Sequence, residues 1–280
     1  MIGPYFWRDR ELRPVAEAVV PADDIQFAYG FGVYETMKVR AGLLYFPEQH
    51  VSRLLESARI IELPHEIGCE LLLTALRELC RANELDNANI KLLLIGGDTA
   101  ADAKLFIMAL PPYFPPRKSY RDGVEAITVA AERPYPQAKS LSMLTSTVAF
   151  RRARAAGAYD ALLLNRDGFL TEGTRTNLFY TDGTGLYTPP SEQVLSGVTR
   201  ATVIEALGEA GHEVHERPLR ADELGSYAGF FLTSSSSKVI PVSRIDRQAV
   251  SIPEIVHTAA KLYDAYLKAY RRKLEAEVTR

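Results

Sequence analysis

The sequence predicts an α+β fold in two domains, and three observations support this prediction. Strand and helix patterns are mixed along the chain and lack the regular alternation of a βαβ fold. The segment "LPPYFPPRKS" at 110–119 contains four prolines, which interrupt any helix or central strand and indicate a linker. The 280 residues are enough for two modest domains with separate cores. We therefore predict a small domain at 1–110, a linker at 111–119 and a larger domain at 120–280.

The first half contains alternating signals for strands and helices. "YETMKVRAGLLYF" predicts two strands around an Ala-Gly turn. "PEQHVSRLLESARII" has apolar residues at helical spacing behind a proline, and "HEIGCELLLTALRELCRANEL" repeats that period, so both predict helices. "NIKLLLIGG" predicts a short apolar strand.

The second half begins with the predicted strand "GVEAITVAAE", which is followed by a predicted helix, "STVAFRRARAAGA", ending at Gly157. An Asp-Gly turn joins "YDALLLN" to "FLTEGTRTNLFYT" and predicts a hairpin. "SGVTRATVIEALGEAGHEV" predicts a loop that leads into a helix, and "GFFLTSSSSKVIPV" predicts a strand interrupted by serines. The segment 253–276 has the pattern of an amphipathic helix.

Composition excludes several classes of function. The net charge of -2 offers no electrostatic basis for binding nucleic acid or an anionic membrane. No run approaches the roughly 18 apolar residues of a membrane span, and "MIGPYFWRDRELRPV" has charges where a signal peptide needs an apolar core. We therefore expect a cytoplasmic protein. Cys69 and Cys80 match no metal-binding spacing, and we expect no metal site.

Lys139 is the first candidate for chemistry. It lies in "RPYPQAKSLSML", behind two prolines and before a run of small and apolar residues. A lysine nucleophile must lose its proton near neutral pH, and apolar surroundings favour the uncharged amine. Taken alone, Lys139 is better explained as a surface lysine at the end of a strand.

Glu172 is a second candidate, because a carboxylate held inside a site can keep a pyridinium protonated. It lies in "FLTEGTRTNLF", next to Gly173 and five residues before Asn177. The simpler alternative is a glutamate on an edge strand beside a bulge, with Asn177 as a turn residue.

Three further segments have features of a phosphate site. Gly197 leads into a predicted helix through Val198 and Thr199, whose amides could cradle a phosphate, although Ser196 or Thr199 could equally be a simple N-cap. The serine run in "FLTSSSSKV" offers hydroxyl donors or merely a polar turn, and its S-x-x-K pattern lacks the companion motifs of serine acyl enzymes. Arg53 could bind phosphate in a bidentate manner, or could pair with Glu56 or Glu48 on a solvated helix.

The order and spacing of these motifs resemble the class IV (fold-type IV) aminotransferases, which use pyridoxal 5′-phosphate. "YGFGVYETMKV" looks like the aromatic-Gly-x-Gly-Val-[Phe/Tyr]-Glu segment of that family, and "HVSRLLESA" looks like its His-x-x-Arg-Leu helix. The resemblance runs from about Trp7 to Asp246. It implies a small α/β domain, a larger domain built on a pseudo-barrel, and a homodimer.

The resemblance also implies roles for individual residues. Lys139 matches the Schiff-base lysine that shuttles the substrate proton, and Glu172 matches the glutamate on the pyridine nitrogen. The remaining cofactor contacts that it implies are Arg53, Asn177, Leu195, Gly197, Val198, Thr199, Ser234 and Ser235. The implied reaction transfers an amino group between an amino acid and a 2-oxo acid by a ping-pong mechanism.

The resemblance leaves the substrate open between D-amino acids and branched-chain L-amino acids. Lys91 stands where branched-chain enzymes have arginine, and "GGDTAADAK" lacks the arginines and histidine of the carboxylate site in D-amino-acid transaminases. Tyr29, Tyr34 and Lys91 are the expected substrate contacts. An aminodeoxychorismate-type lyase would share Lys139 and Glu172 and is the alternative within the family. A non-catalytic phosphometabolite-binding protein would use the glycine and serine loops alone.

Overall fold

A computed structural model describes residues 1–278 of the chain. The contacts divide it into two units, each built from two stretches of sequence. Unit 1 consists of Met1–Tyr113 and Gln137–Met143, and unit 2 contains Phe114–Pro136 and the chain from Leu144 onward. The sequence-based division assigns 137–143 to the second domain, whereas the structure groups it with unit 1 because its backbone pairs with a unit 1 strand.

Unit 1 is an antiparallel sheet of six strands in the order β2-β1-β6-β5-β3-β4. Its strands and helices are β1 (Tyr5–Arg8), β2 (Glu11–Pro14), α1 (Ile25–Ala28), β3 (Gly32–Arg40), β4 (Leu43–Leu44), α2 (Pro47–Ile60), α3 (Cys69–Ala82), β5 (Ala88–Ile95) and β6 (Lys104–Leu110).

The core of unit 1 lies between the sheet and helices α2 and α3. Alternate residues of β3 and β5, such as Val33, Met37 and Leu92, are fully buried against Leu54 and Leu76 of the two helices. This alternation is the pattern expected of a sheet with one face covered by helices. The predicted strands and helices of the first half are confirmed.

Unit 2 contains ten strands and four helices within the described residues. They are α4 (Arg117–Arg121), β7 (Val124–Ala130), α5 (Leu144–Ala155), β8 (Asp160–Leu164), β9 (Phe169–Gly173), β10 (Asn177–Thr181), β11 (Leu186–Thr188), α6 (Val198–Glu209), β12 (Val214–Glu216), β13 (Leu219–Arg220), β14 (Gly229–Ser234), β15 (Lys238–Ile245), β16 (Gln248–Ala249) and α7 (Glu254–Val278). The predicted hairpin across the Asp-Gly turn is β8–β9, and the serine run is the turn between β14 and β15.

Six of these strands form a closed ring in the order β10-β14-β15-β7-β8-β9, because β9 also pairs with β10. The parallel pairs are β15–β7 and β7–β8, and the other pairs of the ring are antiparallel. Leu178 and Tyr180 of β10 belong to one buried cluster, whereas Phe179 packs with α6 and α7 in another. The predicted pseudo-barrel is confirmed.

Among residues 1–278, no helix combines the length and the apolar character needed to cross a bilayer.

Candidate active site

Lys139 lies in an extended segment of unit 1 whose backbone pairs with the start of β3. The amide of Tyr34 donates to the Lys139 carbonyl at 2.9 Å, and the amide of Leu141 donates to the Gly32 carbonyl at 2.8 Å. A Cβ at Gly32 would lie 2.6 Å from the Leu94 carbonyl oxygen and 2.7 Å from Leu141 Cδ1, so this close pairing requires glycine.

The side chain of Lys139 is half-buried, and its Nζ lies 4.7 Å from the centroid of the Tyr34 ring. Within residues 1–278 the amine makes no ion pair or hydrogen bond. The alternative of a surface lysine at a strand end is therefore wrong: the backbone of this residue is fixed, and its amine rests on an aromatic face.

Arg53 of α2 forms a buried pair with Glu35 of β3. Its Nε donates to Glu35 Oε1 at 2.6 Å and its Nη2 donates to Oε2 at 2.8 Å. His50 Nδ1 lies 2.8 Å from Glu35 Oε2. The predicted alternative, in which Arg53 pairs with Glu56 or Glu48, is wrong, because Arg53 faces the sheet and Arg59 pairs with Glu56 instead.

Burial and neighbouring charges shift the pKa values of Glu35 and His50 in opposite directions. Full burial tends to raise the pKa of Glu35, but Arg53 and His50 outweigh it and hold that pKa well below its ordinary range. Burial lowers the pKa of His50, and the attraction of Glu35 only partly offsets this effect. The group therefore consists of a carboxylate, a guanidinium and a neutral imidazole.

The three predicted substrate contacts have different surroundings. Lys91 Nζ lies 5.8 Å from the centroid of the Tyr34 ring, and the Tyr34 hydroxyl bonds Met143 Sδ at 3.5 Å. Lys91 forms no ion pair with any residue in the described part of the chain, which contradicts the alternative of a strand lysine paired with a surface acid. Tyr29 follows α1 and is 80% exposed.

In unit 2, Glu172 is a buried carboxylate at the end of β9. Arg133 Nη1 donates to its Oε1 at 2.6 Å, while the Leu195 amide at 3.1 Å and Asn177 Nδ2 at 3.3 Å donate to Oε2. Asn177 Nδ2 also donates to the Leu195 carbonyl at 2.9 Å. The alternatives of an edge-strand glutamate beside a bulge and a plain turn asparagine are wrong, because β9 pairs with β8 and β10 inside the ring and both side chains are buried.

The loop between Glu172 and Asn177 is anchored by a second buried carboxylate, Asp160. The hydroxyls of Thr174 and Thr176 both donate to it, the latter at 2.9 Å. Burial raises the pKa of Asp160 above its ordinary range, and the bond from Thr174 opposes that shift. Asp160 therefore fixes the loop that carries both Glu172 and Asn177.

The start of α6 provides backbone amides without a side-chain cap. Gly197 is the N-cap residue and makes no side-chain capping bond, so the proposed caps Ser196 and Thr199 are not used as such. Val198 and Thr199, the first two residues of the helix, are buried. A Cβ at Gly197 would overlap Asn177 Oδ1, so glycine is required here.

The serine turn provides hydroxyls at the end of β14. Ser234 Oγ lies 2.7 Å from Ser237 Oγ, and Ser235 between them is half-buried. Thr233 precedes the turn and pairs in register with Asn177. Its hydroxyl is buried without a hydrogen-bond partner among the described residues, and this leaves a donor unused.

Comparison with known proteins identifies the family. The model of the family described as "Amino-transferase class IV" matches residues 32–245. The chain belongs to this family. It is a pyridoxal-phosphate-dependent aminotransferase of fold type IV.

Individual relatives of this aminotransferase differ in their named substrates. It is 32% identical to a putative branched-chain-amino-acid aminotransferase of Methanocaldococcus jannaschii, over 89% of this chain and 91% of that one. It is 30% identical to the D-alanine aminotransferase of Bacillus licheniformis, over 84% and 86%. It is 28% identical to a bifunctional aminodeoxychorismate lyase / D-amino acid transaminase of Mycobacterium tuberculosis, over 94% and 98%.

Two solved structures extend the comparison to the fold and the cofactor. The branched-chain aminotransferase of Thermoproteus uzoniensis with norvaline superposes with a TM-score of 0.85 at 28% identity, over 94% of this chain and 94% of that one. The PLP-bound form of a hypothetical aminotransferase from Mycobacterium tuberculosis superposes with a TM-score of 0.82 at 27% identity, over 94% and 98%.

The residues of this aminotransferase fit pyridoxal 5′-phosphate. Lys139 offers an amine with no ion-pair partner in the described chain, Glu172 offers a buried carboxylate, and α6 begins with buried, uncapped amides that suit a phosphate. The sequence motifs identified these three residues or segments. The motif "YGFGVYE" ends at Glu35, but it gave no indication that Glu35 pairs with Arg53, 18 residues away. The motifs did not identify Arg133, which binds Glu172 39 residues away, or Asp160, which binds Thr174 14 residues away.

Proposed function

We propose that this aminotransferase exchanges the amino group between an amino acid and a 2-oxo acid in two ping-pong half-reactions, with Lys139 as the cofactor lysine. The observation that carries this proposal is the state of Lys139. Its peptide groups are fixed by β3 and α2, while its amine has no carboxylate partner in residues 1–278. The backbone of such a lysine is held in place while its amine is not engaged by a carboxylate, and a nucleophilic lysine needs both properties.

When bound, pyridoxal phosphate supplies an electron sink for charge at the substrate Cα. In our proposal, Lys139 Nζ accepts the proton from that carbon and returns it during the transfer. Glu172 holds the positive charge of the pyridine nitrogen. Arg133 and Asn177 hold Glu172 in place through the hydrogen bonds that they donate to it.

The proposed phosphate contacts are donors of two kinds. Arg53 would contribute its guanidinium, and Val198 and Thr199 would contribute amides at the positive end of α6. Ser234 and Ser235 would contribute hydroxyls. Leu195 would pack on the cofactor ring, since its backbone is tied to both Glu172 and Asn177.

We propose that the substrates are either D-amino acids or branched-chain L-amino acids, with Tyr29, Tyr34 and Lys91 as contacts. The amine of Lys91 is half-buried and forms no ion pair in the described chain, which supports its proposed role in binding the substrate carboxylate. Lyase activity of the aminodeoxychorismate type is the second candidate, because one relative is named for both activities.

We also propose that the protein is a homodimer, and sedimentation equilibrium of the purified protein tests this.

The proposal is tested by a half-reaction in the absence of any 2-oxo acid. Loaded enzyme is mixed with single L- or D-amino acids, and the absorption band of the lysine-bound cofactor is followed. We expect one group of amino acids to bleach the band, Lys139→Ala to lack the band, and Lys268→Ala, at an exposed position of α7, to keep it. A band that survives in Lys139→Ala would refute the assignment. Release of pyruvate from added aminodeoxychorismate, with the band retained, would favour the lyase.

A further inference from the structure

Ser57 is a buried serine on α2, and both hydrogen-bonding functions of its hydroxyl are used. Its Oγ donates to the Arg53 carbonyl, one turn earlier on the helix, at 2.7 Å. The same oxygen accepts the backbone N–H of Lys139 at 3.0 Å. A serine inside a helix commonly makes the first of these bonds. The second bond connects the helix to a residue 82 positions away in the chain.

The bond from Ser57 fixes one of the two peptide groups that flank Lys139. The other is fixed by β3, where the Tyr34 amide donates to the Lys139 carbonyl. The Cα of Lys139 is therefore held from both sides. Its amine moves only through the torsions of its own side chain, with the Tyr34 ring at 4.7 Å.

The hydroxyl of Ser57 also joins Lys139 to Arg53. Arg53 is held in turn by Glu35, the neighbour of Tyr34 on β3. The five residues Tyr34, Glu35, Arg53, Ser57 and Lys139 thus form a closed loop of backbone and side-chain bonds. Within this loop, Ser57 links α2 directly to the backbone of Lys139.

We propose that Ser57 is a positioning residue that sets the Lys139 amine relative to Arg53. This inference rests on the proposed function, in which Lys139 carries the cofactor and Arg53 anchors its phosphate. The spacing between the two anchors then determines how the lysine nitrogen meets the substrate carbon. A displacement of about 1 Å at such a point can cost on the order of 100-fold in rate.

The test compares Ser57→Ala with Ser52→Ala in the cofactor-loaded enzyme. Ser52 lies on the same helix and is exposed, so the two changes raise helix propensity equally. Only Ser57→Ala removes the hydroxyl that accepts the hydrogen bond from the Lys139 amide. For Ser57→Ala we expect the half-reaction to slow by about 10- to 100-fold, with KM changed less than kcat. We also expect the pH midpoint of the cofactor absorption band to move. Ser52→Ala should match the wild type in all three measurements.

A purely structural role would lower the melting temperature of Ser57→Ala without moving the band midpoint or the half-reaction rate, and that result would overturn the inference. Ser57→Cys retains a weak acceptor and should give an intermediate rate, and it decides the question if Ser57→Ala does not fold. Failure of the proposed function is recognised separately, because Lys139→Ala would then keep the band.

Discussion

At the scale of single residues, the buried charges of unit 1 compensate one another. Glu35 is fully buried and Arg53 is largely buried, and neither charge would be stable there alone. Two hydrogen bonds join them in a bidentate pair, and His50 adds a third contact to the carboxylate. The pair therefore holds Arg53 in one orientation and makes the local fold dependent on both partners.

Glu35→Ala should destabilise unit 1, because it removes the carboxylate to which the buried Arg53 guanidinium donates two hydrogen bonds. We expect a loss of about 3 to 5 kcal/mol in the free energy of unfolding. Urea denaturation followed by the fluorescence of Trp7 measures this loss, since the single tryptophan of the chain is buried in the core of unit 1. Glu56→Ala, which breaks the exposed pair with Arg59, is the control and should change little. Equal transitions for the two variants would contradict this account.

His50 should make stability depend on pH below neutrality. Its pKa in the folded protein lies below the ordinary 6.5, so the unfolded chain takes up the proton more readily. The stability due to neutral His50 is present above pH 6.5 and is lost as the pH falls towards the folded pKa. Glu35, Arg53 and Lys139 are the charged groups that act on this ring.

The measurement is urea denaturation of the wild type and of His50→Gln at several pH values below 6.5. We expect the loss of stability with falling pH to be smaller in His50→Gln. His65, whose pKa is also lowered by burial, contributes in the same range, so His65→Gln is the matched comparison. A wild-type slope that His50→Gln leaves unchanged would show that His50 takes up its proton equally in the folded and unfolded states, and would contradict the prediction.

At the scale of elements, local patterns predicted most helices and strands, because apolar periodicity and turn residues act over a few positions. Such patterns predict the helix α2 and the hairpin β8–β9, and the structure contains both. The partner of a buried charge is set by sheet register and cannot be read from one sequence. Arg133 lies in a loop, and it is the position of β9 that brings Glu172 within 2.6 Å of it.

The junction of Gly197 with α6 permits a sharp test at this scale. Gly197→Ala would push a Cβ into Asn177 Oδ1 and displace the side chain that holds both Glu172 and the Leu195 carbonyl. We expect cofactor affinity to fall about 10-fold or more, since about 1.4 kcal/mol suffices for that factor.

Gly208→Ala is the control for this test. Gly208 lies inside the same helix, and a Cβ there would meet nothing within 4 Å. That change should leave cofactor affinity unaltered and stabilise the helix by roughly 0.5–1 kcal/mol. Cofactor titration by fluorescence measures both variants, and equal affinities would contradict the steric argument.

At the scale of the whole molecule, α7 covers the outside of the closed ring in unit 2. Val256, Ala259 and Tyr263 pack with Phe179 and Phe231 of the ring, whereas charged residues after Tyr270, such as Arg271 and Glu275, are exposed. The two parts of one helix therefore contribute differently to stability.

A chain that ends at Tyr270 should fold and bind cofactor as the full chain does. A chain that ends at Pro253 loses these side chains and also the partly buried Ile255, Leu262 and Leu267. Each large apolar side chain is worth about 1.5–3 kcal/mol when fully buried. That sum approaches the roughly 5 to 15 kcal/mol by which domains are typically stable, so we expect no cooperative unfolding of unit 2. Circular dichroism and calorimetry compare the two chains, and a cooperative transition in the shorter chain would contradict the prediction.

The pairing of β7 with β15 constrains how the protein can be made. Val124 lies in the first strand of the ring along the chain, and its partner Val242 lies in the last. A chain emerging from the ribosome therefore cannot complete unit 2 until more than a hundred residues after Val124 have appeared. Unit 1 likewise awaits the segment around Lys139, which follows the first strand of unit 2. The two units are interleaved in the order of synthesis, and no single cut in the gene would separate them.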